Sequence, residues 1–298
     1  MNKIAVTLVI LLALAIAGVG VSFALQASTG YADSGNSDLT EYTHEVKVGD
    51  FNAIDASISI DVYYTPGQKT SVRIVTTERL MQYVRASVSD GTLQLTMSRE
   101  YSNGNKLRRK GDKVKVYVTA PAVNSFMAST SADIKCSAPL TGMKKIRVEA
   151  STSGDVSLEN VQADEAVLDA STSGDIDIAV LKVAYLKADA STSGDISLDK
   201  LVADKASVSA STSGDMECEK VNVKNLNASV STSSEVDMKG VAGKITVKVE
   251  TGGSFEGAGL VSQEADVNAS VGGSADVNAV RCNASSSVGG NVKNHYRD

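Results

Sequence analysis

The sequence predicts an all-β protein wound as a β-solenoid of about 20 residues per coil. Three observations predict it. The hexapeptide ASTSGD stands at residues 150, 170, 190 and 210. Short apolar–polar alternations flank each copy, and there is no Trp and only four Phe in 298 residues. A catalytic loop is needed once, whereas a solenoid turns the same corner in every coil and buries its apolar side only against its neighbours. A core filled mainly by Ala, Val, Ile and Leu suits such a thin structure.

The chain opens with MNKIAVTLVILLALAIAGVGVSFALQASTG, in which Lys3 precedes an uncharged apolar run from Ile4 to Leu25. Ser22 and Ala24 occupy the small positions of an export cleavage site, which makes residues 1–24 a signal peptide. The competing reading is an uncleaved membrane anchor, because 22 such residues are long enough to span a bilayer. Residues 25–45 read as a linker and 46–298 as the solenoid domain. Both readings of the leader place the domain outside the cytoplasm, in the periplasm, at the outer membrane or on the cell surface.

Residues 46–127 are β-like but not yet periodic, and read as a first coil with a hairpin-rich cap. ISIDV at 58–62 stands where a first corner belongs, and SISIDVYY, SVRIVTT and KVKVYVTAP alternate as half-buried strands. Asp90-Gly91 between two such runs is a hairpin signal. A cap of this kind covers strand edges that the first coil would otherwise expose. The segment KLRRKGDK at 106–113 reads as a solvated loop, with contact to acidic glycan or phosphate as the functional alternative.

Residues 128–298 carry the regular coils. Aligned pieces are ADIKC from Ala132, GDVSL from Gly154, GDIDI from Gly174, GDISL from Gly194, GDMEC from Gly214 and SEVDM from Ser234, at intervals of 22, 20, 20, 20 and 20. Glycine corners continue at 253, 273 and 290. Alternations such as Val156, Ser157, Leu158 mark strands, and Val161, Leu181, Leu201, Val221 and Val241 supply a second inward position once per coil. The leucine and asparagine offsets of leucine-rich repeats are missing.

The corner residues themselves are turn formers. Glycine reaches positive φ without steric cost, so Gly154, Gly174, Gly194 and Gly214 are the expected corner glycines, while Ser, Thr and Asp accept hydrogen bonds from nearby N–H groups. Coils about 4.8 Å apart would align Asp155, Asp175, Asp195 and Asp215 in a carboxylate column. Such a column attracts cations, and Ca²⁺ favours oxygen ligands, so these four aspartates are the candidate metal ligands. The G-G-x-G-x-D calcium motif is not met, since Ala275 precedes Asp276.

Other chemistries find little support. His44 and His295 are the only histidines, and neither lies in a motif that positions a nucleophile or, with the three cysteines, a zinc ion. Cys136 and Cys218 share a repeat column four coils apart, about 19 Å, beyond disulfide reach. A net charge of −6, with both signs mixed along the chain, gives no footprint for nucleic acid. Polysaccharide-cleaving β-helices grip sugars with aromatic platforms, and from residue 128 onward the only aromatics are Tyr185, Phe255 and Tyr296.

The F-x-x-I opening at Phe51 and Ile54, the small-residue corner that leads into strand-turn-strand, and the repeated S-x-S-G-D corners resemble the putative autotransporter adhesin head GIN family of exported bacterial proteins. The resemblance covers roughly residues 46–292. It implies a single-stranded right-handed β-helix and an adhesin-like role. This chain departs from the family pattern with S-T-S-G-D in place of S-G-S-G-D and with G-G corners at its end. Together these readings give a non-catalytic, exported structural or binding module without a cofactor, its partner a glycan or an envelope protein. The alternatives are a self-assembling solenoid scaffold and a polysaccharide-degrading enzyme. Membrane contact is expected only through an uncleaved N-terminal segment.

Overall fold

The computed structural model describes residues 23–24, 40–104 and 112–297. The apolar leader other than Phe23 and Ala24, most of the predicted linker and residues 106–111 of the basic segment lie outside the described residues. The strands form one continuous 19-stranded sheet wound as a solenoid.

The regular coils are long strands that bend: β12 (Asp155–Ser171), β13 (Ile176–Ser191), β14 (Ile196–Ser211), β15 (Met216–Ser231), β16 (Glu235–Glu250), β17 (Ser254–Ser270) and β18 (Ser274–Ser287). They follow the shorter β9 (Ser125–Ser129), β10 (Asp133–Cys136) and β11 (Leu140–Ser151), and β19 (Asn291–Asn294) ends the stack. Each long strand pairs in parallel with the next, with partners 20 residues apart from β12 through β15, as in Ile176↔Ile196 and Ser191↔Ser211.

Alternation within one coil fixes its cross-section. In β13 the buried residues are Ile176 and Ile178, then Leu181 and Val183, then Leu186, Ala188 and Ala190. The alternation breaks where two consecutive residues face away from the core, at 179–180 and 184–185, and again at the corner Thr172-Ser173. Three inward runs separated by three bends make a three-sided coil. Stacking the coils joins each inward position into a column, so the core is a narrow rod of Val, Leu, Ile and Ala running the length of the molecule.

The predicted second inward position holds at Val161, Leu181, Leu201 and Val221, each at most 3% exposed, but not at Val241, which is 51% exposed. The coil through β16 is one residue shorter: the register slips after Cys218, so Val221 pairs with Gly240 and Leu260 follows in that column. Gly240 absorbs the slip at φ 133°, a backbone angle open chiefly to glycine. Val241 is thereby turned to the outside.

The N-terminal region contains β1 (Phe23–Ala24), β2 (Glu41–Val46), β3 (Ala53–Ser57), β4 (Ile60–Pro66), β5 (Ser71–Thr77), β6 (Val84–Ser89), β7 (Thr92–Met97) and β8 (Val114–Ala120). Two single-turn helices, α1 (Glu78–Met81) and α2 (Arg99–Asn103), join them. β2 occupies the end of the segment read as linker. β3 and β4 are the first coil, with Ile58 and Ser59 at its corner. β7 and β8 run parallel to them on the outer side, while β9 and β10 pair on the inner side. Only β6 and β7 form a tight hairpin, through Asp90-Gly91 at φ 51° and 74°. β5 and β2 complete the cover by antiparallel pairing.

Candidate functional site

The STSGD corner is the most repeated surface feature, and its backbone differs from the expectation in one respect. Positive φ falls on Thr and Ser, not on glycine: Thr152 and Ser153 at 53° and 59°, Thr192 and Ser193 at 53° and 60°. Gly154 donates its N–H to the Ser151 carbonyl at 3.0 Å, and Gly194 to Ser191 at 2.9 Å. Two left-handed central residues closed by an i to i+3 bond are the signature of a type I′ turn, a position usually given to Asn-Gly. The left-handed conformation costs non-glycine residues roughly 1–2 kcal/mol each. Coil-to-coil bonds offset this cost, as Ser153 N–H reaches the Thr172 carbonyl and Ser173 N–H the Thr192 carbonyl.

Gly154, Gly174, Gly194 and Gly214 are therefore corner residues for a reason of space. A Cβ on Gly194 would fall 2.5 Å from the Ser171 nitrogen and 2.6 Å from the Ala170 carbonyl carbon, inside van der Waals contact with the preceding coil. Later corners keep the same third glycine at Gly253, Gly273 and Gly290. There the left-handed pair becomes Thr251-Gly252, Val271-Gly272 and Val288-Gly289. Ser234 breaks the series, and its buried Oγ has no hydrogen-bond partner.

Asp155, Asp175, Asp195 and Asp215 follow the corner and stack as predicted. Asp133 and Asp61 extend the column on one side, in register with Asp155, and Glu235 extends it on the other. The carboxylates are tied to the next coil: Asp175 Oδ1 accepts the Asp195 N–H at 3.3 Å, Asp195 Oδ1 the Asp215 N–H at 3.0 Å, and Asp215 Oδ1 the Glu235 N–H at 2.7 Å. Partial burial, with the Asp133 and Asp175 charges beside it, raises the Asp155 pKa above the ordinary carboxylate value. Asp195 is raised mainly by burial, against the lowering hydrogen bond from Asp215.

A second acidic column lies two residues further along the same side, containing Asp177, Glu217, Asp237, Glu256 and Asp276. Asp195, Asp215, Glu217, Glu235 and Asp237 together line a shallow depression. Among the described residues, no group of three or more His, Cys, Asp and Glu converges to hold a metal ion. The carboxylates stand in line along the coil axis, and three of their oxygens already accept backbone N–H groups.

The third side differs in charge pattern. Lys145 pairs with Glu165 at 2.7 Å and Lys244 with Asp266 at 2.6 Å between neighbouring coils, and Arg147 pairs with Glu149 within one strand. Acids on this side have bases beside them, whereas the corner side is acidic with few bases.

The two histidines belong to different parts of the stack, His44 to β2 and His295 to the segment after β19. His44 on β2 is buried with Nε2 unpartnered, and burial lowers its pKa. His295 Nε2 lies 2.9 Å from Asp276 Oδ2. Among the described residues no hydroxyl or thiol hydrogen-bonds either ring. Cys136 and Cys218 are buried free thiols in one inward column, and burial raises the Cys218 pKa to about 11. In the basic segment, Asp112 forms an ion pair with Arg79 and accepts the Tyr101 hydroxyl at 3.1 Å.

A parallel sheet wound into stacked coils, with an acidic, ladder-like side and a covered N-terminal end, defines the class of β-solenoid proteins. Within that class, residues 50–219 and 210–296 match the family described as putative auto-transporter adhesin, head GIN domain, and the chain belongs to it. Solved structures share the fold. A putative adhesin from Parabacteroides distasonis superposes with a TM-score of 0.58 at 17% identity, covering 86% of this chain and 97% of that one. A putative lipid binding protein from the same species gives 0.57 at 17%, over 85% and 96%. A putative adhesin from Parabacteroides merdae gives 0.52 at 20%, over 85% and 95%. No curated protein matches the sequence significantly.

Proposed function

We propose that this chain is an exported, non-catalytic binding module of the cell envelope or surface, which holds a glycan or an envelope protein through many weak contacts spread along its coils. The observation that carries the reading is the column register. Residues 20 apart place like side chains side by side over several coils, as in Ser171↔Ser191↔Ser211 and Asp155, Asp175, Asp195, Asp215. Such a surface repeats one small contact at intervals of about 4.8 Å, so a partner with a repeating polar chain gains affinity by adding contacts rather than by filling one cavity. Membership in an adhesin-like family supports the same reading.

The test is a binding screen of the full chain against envelope glycans and envelope proteins, run beside a reducing-end assay on the same polysaccharides. Expected are hits whose affinity rises with ligand length and no release of reducing ends. Depolymerisation of any polysaccharide would overturn the non-catalytic reading. Melts with and without Ca²⁺ test the carboxylate column: a rise in melting temperature that is lost in Asp195→Asn would add Ca²⁺ to the proposal.

A further inference from the structure

The two ends of the solenoid are finished differently. At the N-terminal end the strands form an antiparallel cover, with β5 on β8, β2 on β5, the two-residue β1 on β2, and β6 on β7. At the C-terminal end β19 covers only the first side of the last coil, through Ser274↔Asn291 to Val277↔Asn294. The Asn294 side chain then closes the pairing: its Oδ1 accepts the Ala279 N–H at 3.0 Å and its Nδ2 donates to the Ala279 carbonyl at 2.9 Å. Beyond that clamp, residues 281–287 pair with β17 on one edge, from Glu264↔Arg281 to Ser270↔Ser287, and with no described strand on the other. A bare strand edge is a template for another chain unless charges or proline blunt it.

Nothing of that kind blunts this edge. The segment reads RCNASSS, and its one charge, Arg281, is paired with Glu264. Its side chains are exposed except for Cys282, which is half-buried. Exposed apolar surface gathers at the same end: of eight large hydrophobic residues exposed among the described residues, six lie at or beyond Val241, including Val271, Val280 and Val288.

We propose that the last coil is a self-association surface, on which residues 281–287 of one chain pair antiparallel with residues 281–287 of a second copy. A two-fold arrangement brings like faces together. With Ala284 opposite Ala284, Cys282 faces Ser286 and Asn283 faces Ser285, so inward positions meet inward positions and no like charges oppose each other. The second copy is the occupant because it supplies a matching edge, with the same three-sided outline and a strand whose one charge, Arg281, is already paired within its own chain. The antiparallel cover at the other end offers no such outline, so the pairing closes as a dimer and does not propagate as a fibre. One short strand pair is small beside a standard interface, which places the dissociation constant roughly between 10 µM and 1 mM.

Sedimentation equilibrium of the full chain in mild detergent, read across that concentration range, tests the proposal. Ala284→Lys puts a charge directly opposite its own copy, and Ser285→Lys puts one opposite Asn283 with its own copy diagonal to it on the other face of the strand, so each should weaken association, Ala284→Lys at least tenfold and Ser285→Lys less. Asn222→Lys, exposed but remote from the edge, should leave it unchanged. In the wild type, hydrogen exchange of the amides of residues 281–287 should slow as concentration rises. A wild type that stays monomeric throughout, association indifferent to both edge lysines, or edge amides whose exchange ignores concentration would each overturn it.

Discussion

Single residues set the corner, and the third position is where the coil is least forgiving. Gly194→Ala should cost about 3 kcal/mol in urea unfolding, because the new methyl meets backbone atoms of the preceding coil. Ser234→Ala should do the reverse, gaining about 1 kcal/mol by removing a buried hydroxyl without a partner. The corner aspartate can be split into charge and hydrogen bond. Asp195→Ala loses the acceptor for the Asp215 N–H and should cost about 1 kcal/mol. Asp195→Asn keeps an acceptor and removes the repulsion, so it should be more stable than wild type at pH 7 by less than about 1 kcal/mol, the group being largely exposed. The raised pKa of Asp195 means the folded state takes up its proton before the unfolded one. The wild-type deficit therefore shrinks as pH falls through that raised value and is gone below the ordinary value of 3.8. Melts of both proteins from pH 7 to 3.5 would show this.

Elements show where sequence reading reached its end. The strands of the regular coils were legible because alternation and the 20-residue interval reinforce each other, and Asp90-Gly91 announced its hairpin. Val241 was misplaced because one missing residue moves the inward positions of that coil one step earlier than the 20-residue count, to Ala242, Ile245, Val247 and Val249, and only Gly240 hints at the slip. The left-handed Thr-Ser pair was hidden for a different reason. Its cost is met by bonds between coils, which no local propensity reports. The cap was legible as strands but not as pairings, since β4 and β5 are consecutive yet separated in the sheet by β8. One cap residue has a measurable consequence. Burial keeps His44 neutral in the fold, with a pKa below 6.5, so the unfolded chain gains a proton first and stability falls as pH drops below about 6.5. Urea unfolding at pH 7.5 and 5.5 should record this loss, and His44→Leu should reduce it.

For the whole molecule, the candidate surface was half legible. The carboxylate column followed from the interval alone, whereas its ties to the next coil's N–H groups needed the fold, because they join residues 20 apart through backbone atoms. The same regularity predicts that coils are interchangeable. Deleting residues 176–195 joins Asp175 to Ile196 in the register that Asp195 now holds, so the shortened chain should fold. Its urea m-value should fall by roughly one-thirteenth, in proportion to the 20 of 253 described residues removed. Failure to fold, or an unchanged m-value, would show that the coils are not equivalent.

The uniform register from β12 through β15 also makes that part of the molecule a graduated rod. Each 20-residue insertion or deletion moves the terminal coil by about 4.8 Å and leaves the lateral surface repeating unchanged. The reach of the last coil from the covered end is thus set in discrete steps by coil number, separately from the chemistry that each coil displays along the way.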